Sequence, residues 1–325
     1  MTVWKRIGLV LTLAAAMVSA AGCGAGSGST AEEPGRVRVV ASFYPLAFLA
    51  GEIGGERAHV VNLVPAGVEP HDWTPKSRDM QAIARAQLFL YNGAGFEGWV
   101  EDVLGGFKAG EGPLPVEASR GVRLIRTGEN GDREEGHDHG EHPADGHAHD
   151  DLTVDPHTWV SPKSALIMAE NLYNAFVRVD GAHRAHYEAN YRELAERLKA
   201  LDERYTRELS GLSKREVVVS HAAFGYLCRD YGLRQVAIMG LSPEAEPRAQ
   251  DLLAVKRFVE ERGVKVIFFE ELVSDRLART LAQEAKVDTL VLNPLEGLTP
   301  AQEKAGETYL TLMERNLEHL KQALQ

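Results

Sequence analysis

Short runs rich in β-branched and aromatic residues alternate with amphipathic stretches along most of this chain, and no other feature restricts its fold so strongly. One series begins with "RVRVVASF" at Arg36 and passes through "LFLYNG" to "GVRLIR"; another runs from "VVVS" through "VIFFE" to "TLVLN". Strands and helices in alternation are typical of α/β domains with a mainly parallel sheet. The pattern therefore predicts two similar α/β lobes, an N-terminal one over residues 36–180 and a C-terminal one over residues 212–325.

A long helix is predicted between the two lobes, at residues 181–211. Its apolar residues recur at steps of three and four, at Tyr187, Tyr191, Leu194, Leu198, Leu201, Tyr205 and Leu209. This spacing places them on one face of a single helix. Two lobes joined by one rigid helix leave a cleft between them. A further helix is predicted from Pro162 to about Val179, and a closing helix from Pro300, where Thr299 and Gln302 form a capping box.

The first 23 residues read as an export signal. Two positive charges precede an apolar run from Ile7 to Val18, and small residues follow up to Cys23. The end of this segment resembles a bacterial lipobox, with Ala20 where leucine is usual, so Cys23 is the expected lipidation site; an ordinary cleaved signal is the alternative. Residues 24–35 are expected to form a flexible tether. We expect a protein outside the cytoplasm, lipid-anchored to the outer face of the cell membrane or periplasmic.

The negative charge of the chain is concentrated in one segment. The formal net charge is −11, which argues against nucleic acid as a partner. Ten acids and one base lie between Glu129 and Asp155, so the remainder is nearly balanced. Residues 127–151 contain almost nothing apolar and are predicted to be a solvated insertion loop within the N-terminal lobe.

This insertion loop carries five histidines: His137, His139, His142, His147 and His149. Glycines and acids separate them without fixed spacing, so ordering them around one ion would cost chain entropy. They can bind zinc loosely in several arrangements and raise its local concentration near the cleft. Alternatively, the loop is a tolerated insertion without a role.

Four other polar residues are predicted to lie near the carboxyl ends of strands. His71 follows "VVNLV", His221 follows "VVVS", Glu296 follows "TLVLN", and His157 ends the insertion that comes after "GVRLIR". Open parallel sheets bind their ligands at this edge, and two of the four residues come from each lobe, so they could converge across the cleft. Three imidazoles and one carboxylate form a complete tetrahedral set for Zn²⁺. Nitrogen donors suit zinc better than manganese.

The neighbours of these histidines suggest how they are held. Pro70 and Pro156, each just before a candidate ligand, restrict the backbone there. Asp72 and Asp155 are candidate hydrogen-bond acceptors for the imidazoles.

Four segments that contain these residues, "GVEPHDWTP", "DPHTWVSP", "SHAAFGYL" and "LNPLEGLTPAQ", resemble the metal-binding lipoproteins that supply zinc and manganese ABC importers, specifically the zinc-binding branch. The resemblance extends from about Val37 to the C-terminus and includes the histidine-rich loop. It implies two α/β lobes joined by a long helix, with one metal site between them. It also implies that the metal is transferred to a membrane permease and its ATPase.

Carried over position by position, the resemblance implies His71, His157, His221 and Glu296 as the metal ligands. Members of the manganese branch tend to have glutamate at the third position and aspartate at the fourth, so this set favours zinc. Some zinc-binding members instead use a glutamate beside the first histidine, or leave the fourth position to water. Here Pro70 occupies the neighbouring position and Glu69 lies one residue further back, which disfavours the glutamate variant.

The expected function is therefore capture of Zn²⁺ outside the cytoplasm and its delivery to an ABC permease, by a monomeric protein that is not an enzyme. One alternative is a manganese-binding member of the same family. Another is a secreted zinc hydrolase, because three histidines and a water also form a catalytic set. The sequence has no Gly-rich phosphate loop, G-x-S-x-G or H-E-x-x-H motif. A third alternative is an adhesin-like surface protein that binds metal incidentally, but nothing in the sequence supports adhesion.

Overall fold

The computed structural model describes residues 35–108, 110–126, 153–243 and 247–325. The predicted signal peptide with Cys23, the tether up to residue 34 and the whole histidine-rich loop (127–151), with His137, His139, His142, His147 and His149, lie outside the described residues. Residues Arg36–Gln325 form one compact unit. Among the helices of the described ranges, we found none with both the length and the apolar character needed to span a membrane.

The strands in the described ranges form two four-stranded sheets, each fully parallel. The strand orders are β2-β1-β3-β4 and β6-β5-β7-β8, so the same topology occurs twice. This repetition confirms the prediction of two similar α/β lobes. The strands are β1 Val37–Ala41, β2 Ala58–Asn62, β3 Leu88–Tyr91, β4 Leu114–Glu117, β5 Glu216–Val219, β6 Arg234–Ala237, β7 Val266–Phe269 and β8 Asp288–Val291.

Helices connect the strands and cover the sheets. They are α1 Tyr44–Gly54, α2 Ser77–Arg85, α3 Val100–Gly105, α4 Pro162–Val179, α5 Arg184–Ser210, α6 Gly225–Tyr231, α7 Ala249–Arg262, α8 Arg276–Ala285, α9 Pro300–Ala305 and α10 Tyr309–Leu324. Short 3₁₀ turns lie at Gly55–Arg57, Thr158–Val160 and Gly181–His183.

Helix α5 is the predicted long helix between the two sheets, with 27 residues preceded by the 3₁₀ turn at Gly181–His183. Six of the seven residues of its predicted apolar stripe are buried, and Tyr191 is half-buried, with its ring stacked on Tyr173 at 4.9 Å. The helix packs on α1 and α4 on one side and on α6 and α10 on the other. It is therefore part of the core of both halves and not an exposed spacer.

The first sheet differs from the prediction at its last strand. Residues 121–126, the "GVRLIR" segment, form no strand; Arg126 makes only an isolated antiparallel bridge with Val154. The fourth strand is instead Leu114–Glu117, which contains Pro115. The amides of Leu114 and Ala118 donate to the carbonyls of Gln87, directly before β3, and Tyr91, at its end. Because β4 is at the sheet edge, Pro115 faces away from β3 and its missing N–H costs no ladder bond.

The closing helix is interrupted. The capping box of Thr299 and Gln302 begins α9 as predicted, but Gly306 adopts a left-handed conformation (φ 72°) and ends it. Thr308 then caps a second helix, α10, through the amide of Thr311. A glycine that can take positive φ, followed by a good N-cap, is sufficient to break the helix here.

The two halves share one continuous hydrophobic core. Trp159 is fully buried at its centre, with the rings of Phe43 and Phe96 at 4.6 and 4.8 Å. The indole N–H of Trp159 donates to the carbonyl of Pro294 at 2.8 Å, and the hydroxyl of Tyr309 donates to the backbone carbonyl of Trp159 at 2.5 Å. The segment just after His157 is therefore fixed to the second half of the chain.

Candidate metal centre

His71 lies in the connection between β2 and α2. Its backbone N–H donates to both carboxylate oxygens of Glu69, at 3.1 and 3.0 Å, which closes a tight turn around Pro70. The amide of Gly67 donates to the carbonyl of Leu298 at 2.8 Å, so this connection contacts the second half of the chain.

His157 lies at the end of a short extended segment, directly before the 3₁₀ turn at Thr158–Val160. The side chain of Asn92 brackets it: the amide nitrogen donates to the carbonyl of Pro156 and the amide oxygen accepts from the hydroxyl of Thr158, both at 2.8 Å. Asp155 accepts from the backbone N–H of His157 at 2.9 Å, and Nδ1 of the ring lies 2.8 Å from the same oxygen. The prediction that Asp155 supports this imidazole is confirmed.

The other two candidates follow strands of the second sheet. His221 is the second residue after β5, and Glu296 lies in the connection after β8. Leu295 is fully buried and has a left-handed backbone (φ 66°), a strained conformation for a branched residue. The side-chain oxygen of Asn293 accepts from the amide of Leu295 at 2.7 Å and stabilises this turn.

The four side chains converge on one point. One nitrogen or oxygen from each of His71, His157, His221 and Glu296 lies within 4.8 Å of the others. From Nε2 of His157, the distances are 3.2 Å to Nε2 of His71 and 3.4 Å to Nε2 of His221. From Oε1 of Glu296, they are 3.4 Å to His71, 3.5 Å to His157 and 3.4 Å to His221.

These five distances, 3.2–3.5 Å, are close to the edge lengths of a tetrahedral site, and the sixth pair, His71 and His221, lies within 4.8 Å. Ligands bound at about 2.0–2.2 Å around a tetrahedral ion are separated by roughly 3.3–3.6 Å. Neighbouring ligands of an octahedral ion, at about 2.1–2.2 Å, would be only about 3.0–3.1 Å apart. The chemistry and the size of this donor set therefore fit Zn²⁺.

The centre is buried, and Glu296 is its anion. The side chains of His157, His221 and Glu296 are at most 1% exposed, whereas His71 is 6% exposed. Burial alone would raise the pKa of Glu296, but hydrogen bonds from His157, His221 and His71 hold the pKa well below its ordinary value. A carboxylate that remains ionised in the protein interior attracts a cation strongly.

The three imidazoles differ in their affinity for protons. Burial lowers the pKa of His71, and Glu296 offsets this only in part. Burial also disfavours charge on His157 and His221, but the neighbouring carboxylates outweigh it: Asp155 and Glu296 raise the pKa of His157, and Glu270 and Glu296 hold that of His221 well above its ordinary value. Burial, with repulsion from Glu296, raises the pKa of Glu69 to about 8.

Two contacts of this site differ from the sequence prediction. Within the described ranges, Asp72 makes no hydrogen bond to His71; Glu69 contacts His71 instead, but accepts from its backbone N–H and not from its ring. Glu270, whose carboxylate lies 2.7 Å from Nδ1 of His221, was missed. Glu270 is the last residue of "VIFFE" and directly follows β7, and only the strand order shows that it lies at the same edge as His221 and Glu296.

Comparison with known proteins identifies the family of this chain. Residues 39–323 match the family described as zinc-uptake complex component A periplasmic, ZnuA. The high-affinity zinc uptake system protein ZnuA of Bacillus subtilis is 38% identical over 323 residues, which cover 99% of this chain and 98% of that protein. The zinc-binding protein AdcA of Streptococcus pyogenes is 37% identical over 290 residues, covering 88% of this chain but 56% of AdcA.

The chain thus spans about half the length of the AdcA proteins it matches. A solved structure, the Zn(II)-bound ZnuA-like domain of Streptococcus pneumoniae AdcA, is similar with a TM-score of 0.75 and 35% identity, and covers 89% of this chain and 99% of that one. The family match spans both sheets, helix α5 and all four converging side chains. The chain therefore belongs to the ZnuA family of zinc-uptake components.

Proposed function

We propose that this protein captures Zn²⁺ outside the cytoplasm and delivers it to an ABC permease. His71 and His157 of the N-terminal lobe (residues 36–180) and His221 and Glu296 of the C-terminal lobe (residues 212–325) bind the ion, and residues 181–211 join the lobes. The observation that carries this proposal is the set of five donor distances of 3.2–3.5 Å, which matches a tetrahedral zinc site. Relatives named for zinc binding and zinc uptake support zinc as the cargo.

The geometry argues against the alternative of a secreted zinc hydrolase. A catalytic zinc keeps one position for water, and a general base stands back from the metal. Here Oε1 of Glu296 lies 3.4–3.5 Å from the three imidazoles, close to the 3.2 and 3.4 Å that separate His157 from His71 and His221. Four protein donors complete the tetrahedron, so the ion is held as cargo and not as a reaction centre.

Manganese is the second alternative, and the same distances argue against it. Mn²⁺ prefers oxygen-rich octahedral sites, whereas three of the four donors here are nitrogens at tetrahedral spacing. A competition titration of zinc against manganese on the purified protein tests this. We expect one tight zinc per chain by elemental analysis and no displacement of zinc by equimolar manganese; preferential retention of manganese would contradict the proposal.

The remaining parts of the proposal concern location and partners. The lipobox-like segment ending at Cys23 supports a lipid anchor, and the name of the matched family supports a location outside the cytoplasm. A permease and its ATPase are the proposed partners, and the protein acts as a monomer. The histidine-rich loop with His137, His139, His142, His147 and His149 is proposed to collect zinc when it is scarce.

A further inference from the structure

Glu270 is a buried carboxylate, 3% exposed, at the end of β7. Strand β7 is hydrogen-bonded to β5, and the chain leaves β5 toward His221. Because the strands are parallel, both residues lie at the same edge of the second sheet. The sheet therefore positions Glu270 beside His221, on the side of the imidazole opposite Glu296.

Both oxygens of Glu270 contact His221. Oε1 accepts from the backbone N–H at 3.2 Å, and Oε2 lies 2.7 Å from Nδ1 of the ring. The distance to Nδ1 is that of a strong hydrogen bond, although the angle is outside the usual range and Nδ1 has no other partner in the described residues. The last torsion of a glutamate is soft, so a small rotation of the carboxylate brings the angle into range.

The N-terminal half uses the same arrangement at its own buried histidine. Asp155 accepts from the backbone N–H of His157 at 2.9 Å and lies 2.8 Å from its Nδ1. His71 differs, because Glu69 accepts from its backbone N–H but no carboxylate in the described residues contacts its Nδ1. Two unrelated segments thus place a carboxylate on both the amide and the Nδ1 atom of a candidate ligand.

Such a contact decides which ring nitrogen is free for a metal. A neutral imidazole has one N–H, and a carboxylate next to Nδ1 keeps the proton there. Nε2 then retains its lone pair and faces the converging donors. The negative charge next to the ring also increases the basicity of the imidazole toward a cation and offsets the charge of a buried Zn²⁺.

We infer that Glu270 is a positioning residue for zinc, which fixes His221 in the Nδ1–H tautomer with Nε2 toward the ion. This inference rests on the proposed function, since it assigns a role within the same zinc site. Glu270 does not contact the point where the four donors converge; it acts only through His221.

The first test is zinc affinity in the variant Glu270→Gln, which keeps the size of the side chain and removes its charge. We expect affinity to fall about 10- to 100-fold, as for other hydrogen-bond partners of metal-bound histidines. Asp180→Asn is the matched control: Asp180 also contacts Nδ1 of a histidine, His183, at 2.8 Å, but lies at the end of α4, away from the site. Its zinc affinity should equal that of the wild type.

The second test is the tautomer of His221, which a merely structural role of Glu270 would not determine. In protein labelled with ¹⁵N-histidine, the His221 signals, assigned by their loss in His221→Ala, should show a metal-bound Nε2 when zinc is present. Without zinc, at a pH where the ring is neutral, they should show the proton on Nδ1 in the wild type and a gain of the Nε2–H tautomer in Glu270→Gln. If Glu270→Gln does not fold, this measurement on the wild type decides. Zinc on Nδ1, or wild-type affinity in folded Glu270→Gln, overturns the inference alone; a wild type without tight zinc overturns the proposed function as well.

Discussion

Four side chains account for the proposed zinc site, and they are not equally supported. His157, His221 and Glu296 are fully buried, and each of the two imidazoles has a carboxylate next to its Nδ1, whereas His71 is slightly exposed and, among the described residues, its ring has the other donors as polar partners. In the proposed site each supplies one ligand atom. Loss of any one should therefore weaken zinc binding strongly, because a buried ion would exchange a protein donor for water at best.

The substitution His221→Ala tests this at one of the two fully buried imidazoles. We expect a loss of zinc affinity larger than the roughly 10- to 100-fold typical of losing an outer hydrogen-bond partner, because a ligand itself is removed. His183→Ala is the control, since His183 is partly exposed in the turn that follows α4 and, among the described residues, its ring bonds to Asp180 alone. Competition with a chelator of known affinity measures both; similar losses in the two variants would show that the site is misassigned.

Zinc affinity should fall as the pH is lowered, because bound imidazoles must be unprotonated. Burial alone would lower the pKa of His157 and His221, but the neighbouring carboxylates raise it above the ordinary value, so protons occupy these rings up to a higher pH. Affinity should therefore still be increasing as the pH passes above about 6.5.

The measurement is a chelator competition from about pH 5.5 to 8, corrected for protonation of the chelator. Calorimetry in two buffers of different ionisation enthalpy gives the number of protons released on binding, which should be at least about one at the acidic end. An affinity that does not change over this range would mean that the imidazoles are not the ligands.

Secondary-structure elements bring these residues together, and α6 does so through an unusually close contact. Gly225, its first residue, lies so near Asp155 that an added Cβ would be 2.3 Å from Oδ2 of that carboxylate. Asp155 cannot easily move, since its other oxygen is bonded to His157 and Tyr226 donates to its carbonyl at 2.6 Å. The glycine is thus required for the close approach of α6 to the segment that carries His157.

The substitution Gly225→Ala should accordingly affect both stability and zinc binding. Forcing an extra methyl into this contact should cost about 1–3 kcal/mol of unfolding free energy, and displacement of Asp155 should weaken zinc binding at His157. Gly51→Ala is the control, because Gly51 lies in α1 with open space around its Cβ position and alanine favours a helix. Denaturant unfolding and zinc titration measure the two effects; an unchanged zinc affinity in Gly225→Ala would show that Asp155 tolerates displacement.

The sequence predicted most elements because strand and helix periodicity is local. It failed where the position of a segment in the sheet determines whether it forms a strand. Pro115 is acceptable in β4 only because that strand is at the sheet edge. The "GVRLIR" segment has the composition of a strand but has no partner in the sheet. Glu270 was missed for a similar reason, since a single acidic residue after a strand carries no signal until β5 and β7 are known to be neighbours.

At the scale of the whole molecule, both sheets, α5 and the site belong to one hydrophobic core that continues across the two halves. Hydrogen bonds from Trp159 and Tyr309 cross between the halves next to His157. The site is thus a product of the whole fold, and a change outside both this core and the contacts of the four donors should leave zinc binding intact.

Deletion of residues 132–151, which removes all five histidines of the histidine-rich loop, is such a change. Arg126 and Val154 pair in an antiparallel bridge at the base of the insertion, so the two chain ends are already adjacent and seven residues remain to join them. Asp155 follows directly and keeps its contact with Tyr226, while Pro156 and Thr158, on either side of His157, keep theirs with Asn92. We expect the shortened protein to retain one zinc per chain with unchanged affinity, while any additional, weaker zinc bound by the full chain disappears.

Elemental analysis and chelator competition on both proteins measure this. Loss of the tight zinc on deletion would place it in the loop and contradict the assignment to His71, His157, His221 and Glu296, because the deletion touches none of the contacts that hold those four side chains together.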